Sequence, residues 1–183
     1  MATSSSSLGS TLVLCLIVAF FVTSSTSNPL SQVCIKSKNP RFCLQVFGLN
    51  PHRSPYELTQ EAINLTLTNA FETMKKIRTF LDQTKDDNLK MIYASCLDYY
   101  QSATDALRRV EEYYYLKEGQ YSSVNAIANY VQGAAFYCEN KFQIIPGYIY
   151  VSTLTEDNES LDISGNIIVS AVDLLFNSPP LKK

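Results

Sequence analysis

Between Ser54 and Phe176 the apolar residues recur at steps of three and four, the spacing of one face of an α-helix, so this segment must bury helical stripes to fold. The first stripe is Ile63, Thr66, Ala70, Met74, Ile77 and Leu81. Its helix is expected over 54–84, with Ser54 as cap, Pro55 at the first helical position and Glu57 completing a capping box. Asp86-Asp87-Asn88 breaks the pattern and supplies the next cap. A second helix is expected from Leu89 to Lys117, with Ile92, Cys96, Tyr99, Ala103, Ala106, Val110 and Tyr114 facing inward and Gly119 ending it. A third begins near Ser122 or Ser123 and carries Val124, Ile127, Val131, Ala135, Cys138 and Phe142. Pro146-Gly147 stops it, and a loop with Tyr148 and Tyr150 follows. The fourth spans Glu159 to Phe176, with Ile163, Ile167, Ala171 and Leu174 or Leu175 inward, and Asn177-Ser-Pro-Pro closes it. Gly165 lies inside that helix, where glycine costs about 1 kcal/mol against alanine. Strand-like alternation of comparable length is missing from the sequence.

The amino-terminal segment reads as a targeting signal. Thr11 to Val22 is an almost pure apolar run, preceded by serines and followed by small residues and Asn28-Pro29. It is shorter than the roughly 20 residues a membrane-spanning helix needs, and it fits a secretory signal peptide over residues 1–27, cleaved near Ser25 to Ser27. No Lys or Arg precedes the run, a departure from the usual pattern. The mature chain, 28–183, then keeps four cysteines: Cys34, Cys43, Cys96 and Cys138. In a secreted chain an even number points to two disulfides, with three possible connectivities. Asn64-Leu65-Thr66 and Asn158-Glu159-Ser160 are sequons, so Asn64 and Asn158 are candidate glycan acceptors.

Four amphipathic helices joined by short loops pack most simply as an antiparallel four-helix bundle, an all-α fold, over 54–177. A turn near Gly119 puts Cys96 about 23 residues before it and Cys138 about 19 after it, an axial mismatch of about 6 Å. Both lie on apolar stripes, so a Cys96–Cys138 bridge between neighbouring helices is favoured. Cys34–Cys43 would then close a small hairpin around Asn39-Pro40 within 28–50, an arm too short to bury a core alone. The other connectivities stay open, at a larger cost in loop closure.

The chemistry of the side chains argues against catalysis. His52, the one histidine, sits in a loop before the capping box. The chain has no Gly-x-Ser-x-Gly nucleophile motif, no phosphate-cradling glycine loop and no Cys/His spacing for zinc, so no cofactor or metal is expected. Glu111-Glu112, Asp86-Asp87 and the pair Asp98 and Asp105 read as helix-surface or helix-start acids rather than a glycosidase dyad. Lys plus Arg number 15 against 17 Asp plus Glu, which gives no basic surface for nucleic acid. The 12 tyrosines point elsewhere. Tyr113-Tyr114-Tyr115 and Tyr99-Tyr100 cover helix positions about 100° apart and cannot all face a core. Exposed tyrosine is an interface residue, so a protein-binding role is favoured. A hydrophobic-ligand carrier is the rival, and the bulky stripes speak for a filled core against it. A structural or signalling ligand read by a receptor is a third reading.

Four stretches carry a resemblance. Cys34-Ile-Lys-Ser-Lys-Asn-Pro-Arg-Phe-Cys43, Cys96-Leu-Asp-Tyr-Tyr-Gln-Ser-Ala-Thr-Asp-Ala-Leu107, Gly119-Gln-Tyr-Ser-Ser-Val-Asn125 and Ala134-Ala-Phe-Tyr-Cys138-Glu-Asn-Lys-Phe142 together resemble the plant invertase and pectin methylesterase inhibitors. The resemblance implies an up-and-down four-helix bundle with an N-terminal helical hairpin, two sequential disulfides, secretion to the cell wall and a one-to-one complex of a monomer with a carbohydrate-active enzyme. For a pectin methylesterase it implies contacts from the second and third bundle helices, which fall on Asp98, Ser102, Asp105, Tyr137 and Asn140. Invertase inhibitors use a Pro-Lys-Phe motif after the turn between those helices. This sequence has Glu118-Gly119-Gln120-Tyr121 there, so the resemblance leans to pectin methylesterase, with acid invertase as the alternative.

Overall fold

A computed structural model describes residues 28–48, 52–144, 147 and 150–177. The expected signal peptide over 1–27, Pro146, Tyr148 and the closing Ser178, Pro179 and Pro180 lie outside the described residues. All described elements are helices: α1 Pro29–Lys36, α2 Pro40–Phe47, α3 Pro55–Gln83, α4 Asp87–Glu112, α5 Tyr121–Lys141 and α6 Thr155–Phe176. The four long helices form a closed ring, in which α3 packs on α4, α4 on α5, α5 on α6, and α6 back on α3. This is the antiparallel bundle that the stripes demand. Its centre is filled by large side chains, among them Leu58, Ile77, Tyr100, Leu107, Phe142 and Ile168, all fully buried.

Local chemistry sets where α3 and α4 begin. Ser54 Oγ accepts from the Glu57 N–H at 3.2 Å, while Glu57 accepts from the Ser54 N–H at 2.8 Å, a complete capping box after which Pro55 enters the helix. Asp86 Oδ1 accepts from the N–H groups of Asn88 and Leu89 and so caps α4. Its other carboxylate oxygen accepts from the Tyr150 hydroxyl at 2.9 Å, tying the loop before α6 to this end of the bundle. The Tyr150 hydroxyl and then the Leu89 N–H hold the Asp86 carboxyl below its ordinary value of 3.8. The Ser54 N–H and hydroxyl do the same for Glu57, below 4.5. Acids depressed in the folded state stabilise it above their unfolded pKa, and that stability is lost as pH falls through the folded values. Acid titration followed by circular dichroism should therefore show stability level above pH about 4.5 and declining below it. Asp86→Asn should make that decline shallower; an unchanged profile would mean the cap carries no pH-dependent stability.

Two helix boundaries differ from the sequence expectation. α4 ends at Glu112, not Lys117. Tyr114 adopts φ 55°, its N–H donates to the Glu111 carbonyl, and the Tyr115 N–H donates to the Val110 carbonyl at 3.0 Å. This is a Schellman stop with tyrosine at the left-handed position where glycine is usual, so no residue type announced it. Gly119, φ 72°, closes the following turn instead, where the Gln120 N–H reaches the Tyr115 carbonyl. Tyr114 is consequently 60% exposed rather than inward. α6 begins at Thr155, four residues before the expected Glu159. The polar run that read as loop places Glu156 and Asp157 in the first turn, where acids suit the positive end of the helix dipole.

Three side chains expected on inward stripes are only half-buried, namely Leu81, Tyr99 and Ile127. On α4 the core position is taken by Tyr100, whose hydroxyl donates to Asn158 Oδ1 at 3.0 Å. Burial, with the nearby Asp157 and Glu139 carboxylates, raises the Tyr100 pKa and keeps the phenol neutral.

The N-terminal arm is a hairpin of α1 and α2, each opened by an asparagine cap and a proline. The Cys34–Cys43 disulfide closes it, with Cα atoms 5.3 Å apart, and both cysteines are buried. The hairpin rests on the bundle through α1 against α6 and α3. Lys38 Nζ pairs with Asp162 at 2.7 Å, the Lys38 N–H donates to Asn166, and Arg53 bridges the Phe47 carbonyl and Glu61.

Candidate functional site, the outer face of α4 and α5

The second disulfide, Cys96–Cys138, joins α4 to α5 with Cα atoms 4.7 Å apart in the core. It fixes the register of the two helices that carry the candidate contacts. Asp98, Ser102 and Asp105 follow Cys96 along α4 at spacings of four and three and form one exposed ridge. Asp105 pairs with Arg108 at 3.7 Å, and the Arg108 guanidinium lies 4.9 Å from the Phe71 ring centroid on α3. Tyr137 and Asn140 flank Cys138 on α5; Tyr137 is 56% exposed and Asn140 half-buried.

The link between the two helices is aromatic. Tyr99 of α4 and Tyr137 of α5 meet with centroids 5.7 Å apart, Phe136 packs edge-on to Tyr137 at 5.7 Å, and Lys141 Nζ lies 6.0 Å from the Tyr99 ring. Tyr137 thus joins α5 to α4 through a ring that the sequence assigned to the core. The acidic ridge and Asn140 share the outer wall without a hydrogen bond between them among the described residues. Phe136, 63% exposed, and Tyr130, 51% exposed, belong to the same surface and were not singled out by the sequence. Their signal was there: on a helix with Cys138 inward, Phe136 projects about 200° away.

Beside this patch a groove of about 600 Å³ runs between α5, α6 and the hairpin, lined by Phe136, Tyr137, Thr155, Glu159, Asp162 and Lys38. At its floor Glu139 accepts from Ser152 at 2.9 Å, Thr155 at 2.8 Å and Asn158 Nδ2 at 2.7 Å. Leu154 gives α6 no side-chain cap, so Glu139 supplies charge to that helix start from the neighbouring helix. Asn158, a candidate glycan acceptor by its sequon, is 4% exposed and held on both sides by Tyr100 and Glu139.

His52 is exposed in the loop before α3, and Glu111 and Glu112 are exposed at the end of α4. Among the described residues no three His, Cys, Asp or Glu side chains gather as metal ligands, and no helix is long and apolar enough to cross a membrane.

The family model for plant invertase/pectin methylesterase inhibitors matches residues 28–168. A pectinesterase inhibitor of Actinidia deliciosa is 29% identical over 139 residues, covering 70% of this chain and 74% of that protein. Pectinesterase inhibitor 1 of Arabidopsis thaliana is 33% identical over 90 residues, covering 48% of this chain and 51% of the relative. The crystal structure of a mutant form of an Arabidopsis pectin methylesterase inhibitor superposes with a TM-score of 0.69 at 22% identity, over 81% of this chain and 97% of that one, a likeness of fold. The match across both disulfides and the first three bundle helices places this chain in the plant invertase/pectin methylesterase inhibitor family, a family of inhibitors that are not themselves enzymes.

Proposed function

We propose that the protein is secreted to the cell wall and inhibits a pectin methylesterase by laying the outer face of α4 and α5 across the enzyme's substrate cleft, as a monomer in a one-to-one complex. The observation that carries this reading is the exposed acidic ridge of Asp98 and Asp105 beside the Tyr99–Tyr137 pair, held in register by Cys96–Cys138. Carboxylates and polar groups in a row imitate an acidic polysaccharide in a cleft built for one, and exposed tyrosines add contact area with little entropy to lose. Ser102 and Asn140 supply neutral hydrogen-bonding groups on the same wall. The filled bundle centre supports a plug over a carrier, because Tyr100, Phe142 and Leu107 occupy the space a guest would need.

Titrating the disulfide-bonded mature protein into a plant pectin methylesterase, with acid invertase assayed in parallel, tests the reading. Esterase activity should fall to a plateau at one inhibitor per enzyme while invertase stays active. Full esterase activity at molar excess defeats the proposal, and loss of invertase activity instead would establish the alternative target. The double charge reversal Asp98→Lys/Asp105→Lys should weaken inhibition about 100-fold, the scale for charged groups lost from a buried interface. Both side chains are exposed, so the helical circular dichroism should not change. A folded double variant that inhibits normally removes these residues from the contact.

A further inference from the structure

A second groove, of about 260 Å³, opens where the first half of α3 meets the turn after α4. Tyr56, Gln60 and Asn64 line it from successive turns of α3, and Tyr114, Leu116 and Lys117 line it from the turn. Asn64 is exposed, and its side-chain amide makes no hydrogen bond among the described residues. With Leu65 and Thr66 it forms a sequon. Facing it is Tyr114, whose left-handed backbone, φ 55°, is a conformation a bulky residue keeps only where its surroundings hold it. Its ring stands 60% exposed, with Lys117 Nζ 5.5 Å from the ring centroid. The other sequon asparagine, Asn158, is buried and donates its amide to Glu139, so a chain modified there before folding could not close α6 on α5.

We propose that Asn64, and not Asn158, carries an N-glycan, and that its first N-acetylglucosamine lies in this groove against the Tyr114 ring. The proposal rests on passage through the secretory pathway and is independent of which enzyme is inhibited. The Asn64 amide nitrogen bonds to C1 of a lipid-diphosphate-linked oligosaccharide, the C1–O bond to the diphosphate breaks, and the amide proton leaves. In the folded chain Thr66 is buried and its hydroxyl donates to the Ala62 carbonyl at 2.7 Å, so transfer precedes the folding of α3. Once α3 forms, the modified side chain projects into the groove that it lines. A sugar ring has an apolar face that suits a tyrosine ring, and the Gln60 amide and Lys117 ammonium offer donors to its acetamido and hydroxyl oxygens. The strained tyrosine then has a task that glycine, the better residue for the helix stop, could not perform.

The test uses the full-length precursor secreted from a eukaryotic host, with glycopeptide mass mapping and thermal unfolding of the wild type, Asn64→Gln, Tyr114→Gly and the double variant. Glycine relieves the left-handed backbone, so Tyr114→Gly folds in either background. The expected result is a glycan on Asn64 alone, a wild type that melts about 3 °C above Asn64→Gln, and no such difference once Tyr114 is replaced. An unmodified Asn64, a glycan on Asn158, or the same increment in the Tyr114→Gly background would overturn the proposal.

Discussion

A Cys96→Ala/Cys138→Ala double variant is expected to lose about 4 kcal/mol of folding stability, because the bridge closes 42 residues of chain and its removal frees that loop in the unfolded state. Alanine replaces two buried sulfurs with little change of shape, so lost loop constraint dominates over lost packing. The loss should appear as a lower urea midpoint with the helical spectrum retained in water. It should also reach function, since α4 and α5 would no longer be pinned in register beneath the proposed contact face. The hairpin bridge closes only 9 residues, so its removal should cost less globally and act mainly on the arm. Equal losses from the two variants would contradict this ordering.

Gly165→Val should cost about 3 kcal/mol, against the usual gain from replacing a helical glycine. A Cβ built at Gly165 would stand 2.9 Å from Gln132 Cγ and 3.0 Å from the Ala128 carbonyl oxygen, which belongs to the backbone of α5 and cannot turn aside. α5 and α6 therefore approach more closely here than a side chain on α6 permits, and a β-branched residue would force them apart. Gly165→Ala should fall between, its helical preference largely offset by the tight contact with Ala128. Chemical unfolding of the two variants checks the order; stabilisation by valine would mean that the helices are farther apart than the structure places them.

Gly165 illustrates how the sequence reads a residue by local rules that the fold then reverses. As a helix-interior glycine it weakened the fourth helix, and as a contact residue it permits the α5–α6 packing. The caps at Ser54 and Asp86 were legible because their hydrogen bonds span two or three residues. The Cys96–Cys138 pairing was legible because helix rise converts sequence distance into axial distance. The end of α4 was not, since its left-handed residue is a tyrosine where glycine is the usual signal. Nor was the burial of Asn158. Its motif is three residues long, yet its environment is made by Tyr100, 58 residues away, and Glu139, 19 away. Of the candidate site, the exposed α4 ridge followed from periodicity, whereas Tyr99 met Tyr137 only across the α4–α5 contact.

By itself the sequence determined four amphipathic helices, their two signed beginnings, and the cysteines able to staple them, because periodicity, capping and rise act over a few residues. Which of two adjacent tyrosines enters the core, which sequon asparagine is buried, and how the aromatic patch assembles were decided by tertiary structure. Each depends on what a partner helix presents at that point, and the stripe on one helix does not carry that information.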